Sequence, residues 1–173
     1  MTHRVKLGIS SCLLGNKVRY NGGDKLDLYL RDDLGRFVEW VAVCPEVEMG
    51  LTVPREPMIL VGDESSHRLI AEMTQMDYTD QMKNWAKEKL TMLLSMKLHG
   101  FVFKSKSPSC GIRALKVSRL SGITYEQGVS IFASEFMKRF PHIPVEDEIR
   151  LADANYRDQF LMQALLVKNQ EIG

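Results

Sequence analysis

A chain of 173 residues with 45% apolar and 26% charged side chains suits one globular domain and is too short for two comfortable ones. A formal charge of +1 excludes the broad positive field of a protein that coats nucleic acid. No apolar run approaches the roughly 18 to 20 residues of a membrane span.

The opening MTHRVKLGISSCLLG carries no small-x-small cleavage site and reads as a first strand, Val5 to Ser10, so the expected compartment is the cytosol. A Gly-containing loop through Asn21-Gly22-Gly23 follows. The apolar positions from Leu26 to Phe37 then predict a short helix capped by Asp24. Phe37 to Cys44 (FVEWVAVC) is β-branched and aromatic, hence a strand, with Pro45 as its stop. Met58 to Val61 and Arg68 to Ala71 read as two strands around the polar GDESSH turn.

Met82, Trp85, Ala86, Leu90, Leu93, Leu94 and Leu98 form a stripe of period near 3.6, which predicts a helix over Asp77 to His99 with Gly100 as its cap. Phe101 to Phe103 is again a strand, and Ile112 to Val117 another at an edge or in a hairpin. Val129, Phe132, Phe136, Met137 and Phe140 predict a helix over Tyr125 to Phe140, stopped by Pro141 and Pro144. A last helix spans about Asn155 to Lys168. This alternation predicts a single compact α/β layered domain with a mainly parallel sheet and flanking helices. Residues 1–150 form its main body, and 151–173 a C-terminal helix or a junction to a further domain. The ten methionines fall mostly at helical core spacing and read as packing residues.

The chemistry lies with three cysteines, Cys12, Cys44 and Cys110. An odd number in a reducing compartment predicts no disulfide, and the bland alternative is three buried small hydrophobes. Each cysteine nevertheless follows a predicted strand. In open α/β sheets ligands gather outside the carboxyl ends of the strands. Three strands could therefore bring three thiolates together across gaps of 32 and 66 residues. Pro45 after Cys44, and SPSCG around Cys110, fix loop backbone of the kind that lets amides approach sulfur. Lys104, Lys106, Arg19 and Arg55 are the cations available to offset thiolate charge. The four histidines show no ligand spacing to one another or to a cysteine. Three thiolates with water suit zinc; three thiolates on a [4Fe–4S] cluster leave one iron open. Spacing alone leaves both possibilities standing.

The stretches SSCLLGNKVRYNGG, CPEVEMGLTVPREP and FVFKSKSPSCG, in this order over about Val5 to Val117, resemble the thiouracil desulfurase family. The resemblance implies a compact α/β domain that holds a [4Fe–4S] cluster with one open iron on Cys12, Cys44 and Cys110. It implies non-redox removal of sulfur from a thiolated base such as 2-thiouracil, with release of sulfide. It places the catalytic pair at Glu46 and Ser107, with Ser109 as the runner-up. The implied partner is a small thiolated base, with no membrane and no intact nucleic acid. The tail IPVEDEIRLADANYRDQF resembles the junction to a second domain in longer relatives, so a fused or associated domain is a further expected partner.

Two positions depart from the family's usual text: Asn21 stands where Asp is common, and Met49 where a second Gly is common. Two rivals remain. One is an iron–sulfur sensing or binding module without catalysis, and the other a zinc-binding structural domain. A sensor has no need of proton-transfer groups such as Glu46 and Ser107 beside the metal.

Overall fold

A computed structural model describes residues 4–63, 66–119 and 121–170. The chain begins with β1 (Val5–Ser10), passes through a 3-10 turn at Ser11–Leu14 and a π-type turn at Tyr29–Asp33, and returns as β2 (Val38–Val43). The helix expected over Leu26 to Phe37 is therefore tighter and more irregular than predicted. Asp24 accepts only from Leu26 N, whereas Asp27 Oδ1 accepts from Leu30 N and is the residue that opens the turn. Pro45 does not merely stop β2. It opens the short helix α1 (Pro45–Glu48), where its missing N–H costs nothing.

Next come β3 (Met58–Asp63) and β4 (Ser66–Ala71), antiparallel as expected, and then α2 (Thr79–Met96). Lys97, with φ 52°, closes α2 in place of Gly100. Gly100 instead begins β5 (Gly100–Phe103), where a Cβ would lie 2.9 Å from Leu7 Cδ2 and 3.0 Å from Phe160 Cζ. This glycine serves close packing between strand and helix.

The predicted strand at Ile112 to Val117 is β6 (Leu115–Ser118), and it is followed by a correction. Tyr125 does not start a helix but lies in β7 (Thr124–Gly128), which pairs antiparallel with β6 through Tyr125 and Val117. The helix α3 (Ile131–Arg139) starts only after Ser130, whose side chain accepts from Ala133 N. Ladder bonds and the buried Gly128 outweigh the helical spacing upstream of that cap. The chain finishes with β8 (Val145–Asp147), α4 (Glu148–Leu151) and α5 (Ala154–Gln170).

The predicted parallel sheet has the order β2-β1-β5-β8 and is parallel throughout. A second, mixed sheet, β4-β3-β6-β7, supplies another layer. The central strands are buried on both faces, which is why they read as continuous apolar runs. Phe101 and Phe103 point to one side, where they stack at 4.2 Å and meet Phe132 and Phe136 of α3 edge-on. Leu7, Ile9 and Val102 point to the other, where Phe160 and Ala164 of α5 cover them. The helix expected at the C-terminal end thus completes the second core. Among the described residues no helix is long and apolar enough to cross a membrane.

The chain moves from β1 to β2 on one side and later returns to β5 on the other. Such a reversal opens a crevice at the carboxyl ends of β1 and β5.

Candidate active site

All three cysteines face that crevice. Cys12 sits in the 3-10 turn after β1, Cys44 directly after β2, and Cys110 at the end of the loop after β5. Together they line one cavity of about 430 Å³, a volume in the usual range for small-molecule sites. Cys12 and Cys110 are buried and Cys44 is partly exposed, and no disulfide joins them. Cys12 belongs to the core under α5 and Cys110 to the core under α3.

Burial pushes the Cys12 thiol up to about 11, with the Lys104 ammonium pulling it back. Burial likewise raises Cys44, against the Val47 N–H and the Arg55 guanidinium. It raises Cys110 furthest, against a hydrogen bond from Ser10. As smaller contributions, Cys44 raises Cys12, and Cys44 and Cys12 raise Cys110. Burial therefore favours the neutral thiols, and a cation that binds them displaces their protons. Among the described residues no three Cys, His, Asp or Glu side chains close on a single metal ion.

The loop after β5 is held rigidly. Lys104 N donates to Ser10 Oγ at 2.9 Å, which ties it to the end of β1. Cys110 N donates to Ser107 Oγ at 3.2 Å, and Gly111 N to Ser107 O at 2.8 Å. Gly111 has no room for a side chain, since a Cβ would lie 2.3 Å from Leu115 Cδ2 and 2.9 Å from Ser107 O. Three consecutive acids of β8 and α4 brace the loop at both ends. Glu148 takes Lys104 and Ser105 before it, and Glu146 and Asp147 take Arg113 beyond it at 2.5 and 2.6 Å. The expected junction sequence, IPVEDEIRL, thus supplies bracing for the cysteine loop.

Glu46 and Ser107 both line the cavity, but a third residue connects them. Ser109 Oγ donates to Glu46 Oε1 at 2.6 Å, and the Ser107 and Ser109 hydroxyls are 3.2 Å apart. With its proton given to the carboxylate, Ser109 can only accept from Ser107, which orders the chain as Ser107, Ser109, Glu46. Arg55 holds the far side of Glu46, Nε to Oε2 at 2.5 Å, and its Nη atoms donate to Val18 O and Thr52 O. Both side chains of this pair are nearly buried, 8% exposed for Arg55 and 12% for Glu46.

Of the four expected charge-balancing cations, Arg55 is committed to Glu46 and Lys104 to Glu148. Arg19 and Lys106 also line the cavity. Asn21 does not; it is exposed, and its Oδ1 accepts from Gly23 N to shape the loop. Met49 is buried in the core. Ser10 and Glu148, which position the cysteine loop, were not singled out by the sequence for that task, because their partners lie 94 and 44 residues away.

Fold and site together define a class: an α/β domain whose switch-point crevice holds a small-molecule cavity walled by thiols and a buried hydroxyl–carboxylate chain. The chain belongs to the 2-thiouracil desulfurase family, whose sequence pattern matches residues 7–148. A curated relative, the uncharacterized protein YbbK of Bacillus subtilis (strain 168), is 30% identical over 108 residues, spanning 60% of this chain and 71% of its own. A solved structure, the [4Fe–4S]-dependent thiouracil desulfidase TudS (DUF523Vcz), is similar with a TM-score of 0.67 and 29% identity. That match covers 86% of this chain and 94% of the other.

Proposed function

We propose that the protein removes sulfur from a thiolated nucleobase such as 2-thiouracil, using a [4Fe–4S] cluster held by Cys12, Cys44 and Cys110. The overall change adds one water and releases uracil and sulfide, with no net oxidation or reduction. The observation that carries this reading is the placement of three thiols from three strands on one cavity beside the Ser107–Ser109–Glu46 chain. The donor set fits the group: soft sulfur from rigid elements, with no histidine among the described residues that line the cavity.

When bound, such a cluster supplies an iron without a protein ligand, a Lewis acid suited to a soft thiocarbonyl sulfur. The chain's own residues do the rest. Glu46 is the general base for water that attacks the ring carbon. Its two oxygens each carry one hydrogen bond, from Ser109 and Arg55, so lone pairs remain and the carboxylate is aimed. Ser107 presents a hydroxyl at the cavity wall, and a proton taken there passes through Ser109 to Glu46. Arg55 fixes the carboxylate and touches no reacting atom. The apolar side chains of Val43, Pro57 and Met58 among the cavity-lining residues limit water around the reacting group.

The rivals are less well supported. A sensing module needs no buried hydroxyl–carboxylate chain. A zinc-binding structural domain likewise has no use for a proton-transfer chain beside its metal.

The test is anaerobic reconstitution with iron and sulfide, then assay of sulfide and uracil from 2-thiouracil. Iron-dependent release of both in equal amounts is the expected result. A reconstituted cluster that turns over no thiolated base, or protein that takes up zinc and refuses iron, overturns the proposal.

A further inference from the structure

Glu148 stands outside the cavity, yet it commands the cation inside it. Its Oε1 accepts from Lys104 Nζ at 2.5 Å and from Ser105 Oγ at 2.6 Å, and its Oε2 from Ser105 N at 2.8 Å. Lys104 Nζ donates further to Ser105 O at 2.9 Å, so the ammonium is locked in one position. Both side chains are largely withdrawn from water, 16% exposed for Lys104 and 13% for Glu148. Lys104 lines the cavity with all three cysteines, and its backbone N is tied to Ser10, two residues before Cys12. Burial alone would raise the Glu148 carboxyl, but the Lys104 and Ser105 hydrogen bonds outweigh it and hold it below its ordinary value. The acid is therefore charged at neutral pH, and the pair is a true ion pair.

We infer that Glu148 is a positioning residue that neutralises Lys104 beside the cysteine cavity and so sets the charge acting on a metal centre held there. The inference rests on the cluster reading above. The reduction potential of an iron–sulfur cluster follows local net charge, hydrogen bonds to sulfur and solvent exposure. A neutral pair contributes little net charge, whereas either partner alone contributes a whole one in a poorly hydrated setting. Glu148→Gln leaves an unbalanced ammonium and favours the reduced, more negative cluster. Lys104→Met leaves an unbalanced carboxylate and does the opposite.

A merely structural clamp behaves differently. If the bonds only hold the loop, either substitution loosens it and admits water, and both shift the potential in the same direction. The charge-neutral double variant separates the two cases, because it lacks the bonds but restores zero net charge.

The experiment measures the midpoint potential of the reconstituted wild type, Glu148→Gln, Lys104→Met and the double variant by mediated anaerobic titration, followed by visible and EPR spectra. Opposite shifts in the single variants, positive for Glu148→Gln and negative for Lys104→Met, with the double near wild type, are expected. Shifts of one sign, or none, overturn the inference while leaving the cluster reading intact. Should Glu148→Gln fail to fold, Lys104→Met against the double variant carries the same comparison. Failure of the wild type to assemble any cluster would fall on the functional proposal instead.

Discussion

The Ser109 hydroxyl donates to Glu46 Oε1 at 2.6 Å and thereby joins the loop after β5 to helix α1. Ser109 buries itself against Cys110, and its proton is committed to a carboxylate. The Ser107 hydroxyl therefore reaches Glu46 only through it. Ser109→Ala is expected to lower kcat for sulfide release by about tenfold to a hundredfold at equal cluster loading. Ser109→Thr retains most of the rate, and Glu46→Gln, which still accepts the bond but is a poor base, falls further. Turnover of Ser109→Ala at the wild-type rate would reduce this hydroxyl to a packing role.

Arg55 is the second support of Glu46 and joins α1 to two loop segments through Glu46, Val18 and Thr52. Removing it leaves a nearly buried carboxylate without its charged partner and takes a donor from two backbone carbonyls. Arg55→Met is expected to cost about 3 kcal/mol of folding stability, the usual penalty for breaking one side of a buried pair. Urea denaturation of the metal-free protein measures it. A loss below about 1 kcal/mol would class the pair with surface ion pairs.

Gly111 closes the SPSCG stretch, where any Cβ strikes Leu115 and the Ser107 carbonyl. Gly111→Ala must push either β6 or the cysteine loop aside. Overpacking of this kind costs about 1–3 kcal/mol, and here it also shifts Cys110. Lower thermal stability together with reduced iron incorporation is the expected pair of results. Full incorporation at wild-type stability would show that the loop yields freely.

Asp77 stands two residues before α2, the longest helix among the described residues. Its Oδ1 accepts from Thr79 N at 2.9 Å and its Oδ2 from Arg68 Nε at 2.9 Å. The bonds from Thr79 foremost, aided by Arg68, hold the carboxyl down at about 2. A lowered folded value gives stability that is whole above the ordinary carboxylate value of 3.8 and lost as pH falls toward 2. The group is about one-third exposed, which limits the contribution to about 1 kcal/mol. Asp77→Asn should flatten the acid limb of a stability–pH curve between about pH 4 and 2. An unchanged limb would assign acid sensitivity to other carboxylates.

The parallel sheet and the meeting of the three cysteines were legible because the relevant pattern is local. Each thiol follows a short β-branched run, and strand ends of one sheet share an edge. The β7 strand was not legible, since the apolar spacing of Val129, Phe132 and Phe136 extends back onto Tyr125 as though the helix began there. Only the hairpin partner Val117 and the cap Ser130 decide otherwise. Which of Ser107 and Ser109 bonds directly to Glu46 was also beyond the sequence. The two serines flank Pro108 symmetrically in the text, and the turn that directs one of them at Glu46 exists only once the chain has folded. Glu148 was hidden for a similar reason, with an unremarkable acidic run on one side and its lysine 44 residues away on the other.

The three sulfurs are delivered by three separate strand ends, with no two of them on one loop. A chelating pair of neighbouring cysteines can seize metal before the surrounding polypeptide takes shape; here an unfolded chain offers only isolated, weak donors. Insertion of the proposed cluster would therefore follow assembly of the sheet. On the cluster reading proposed above, a centre held by all three would link β1, β2 and β5 and resist the unfolding that would release it.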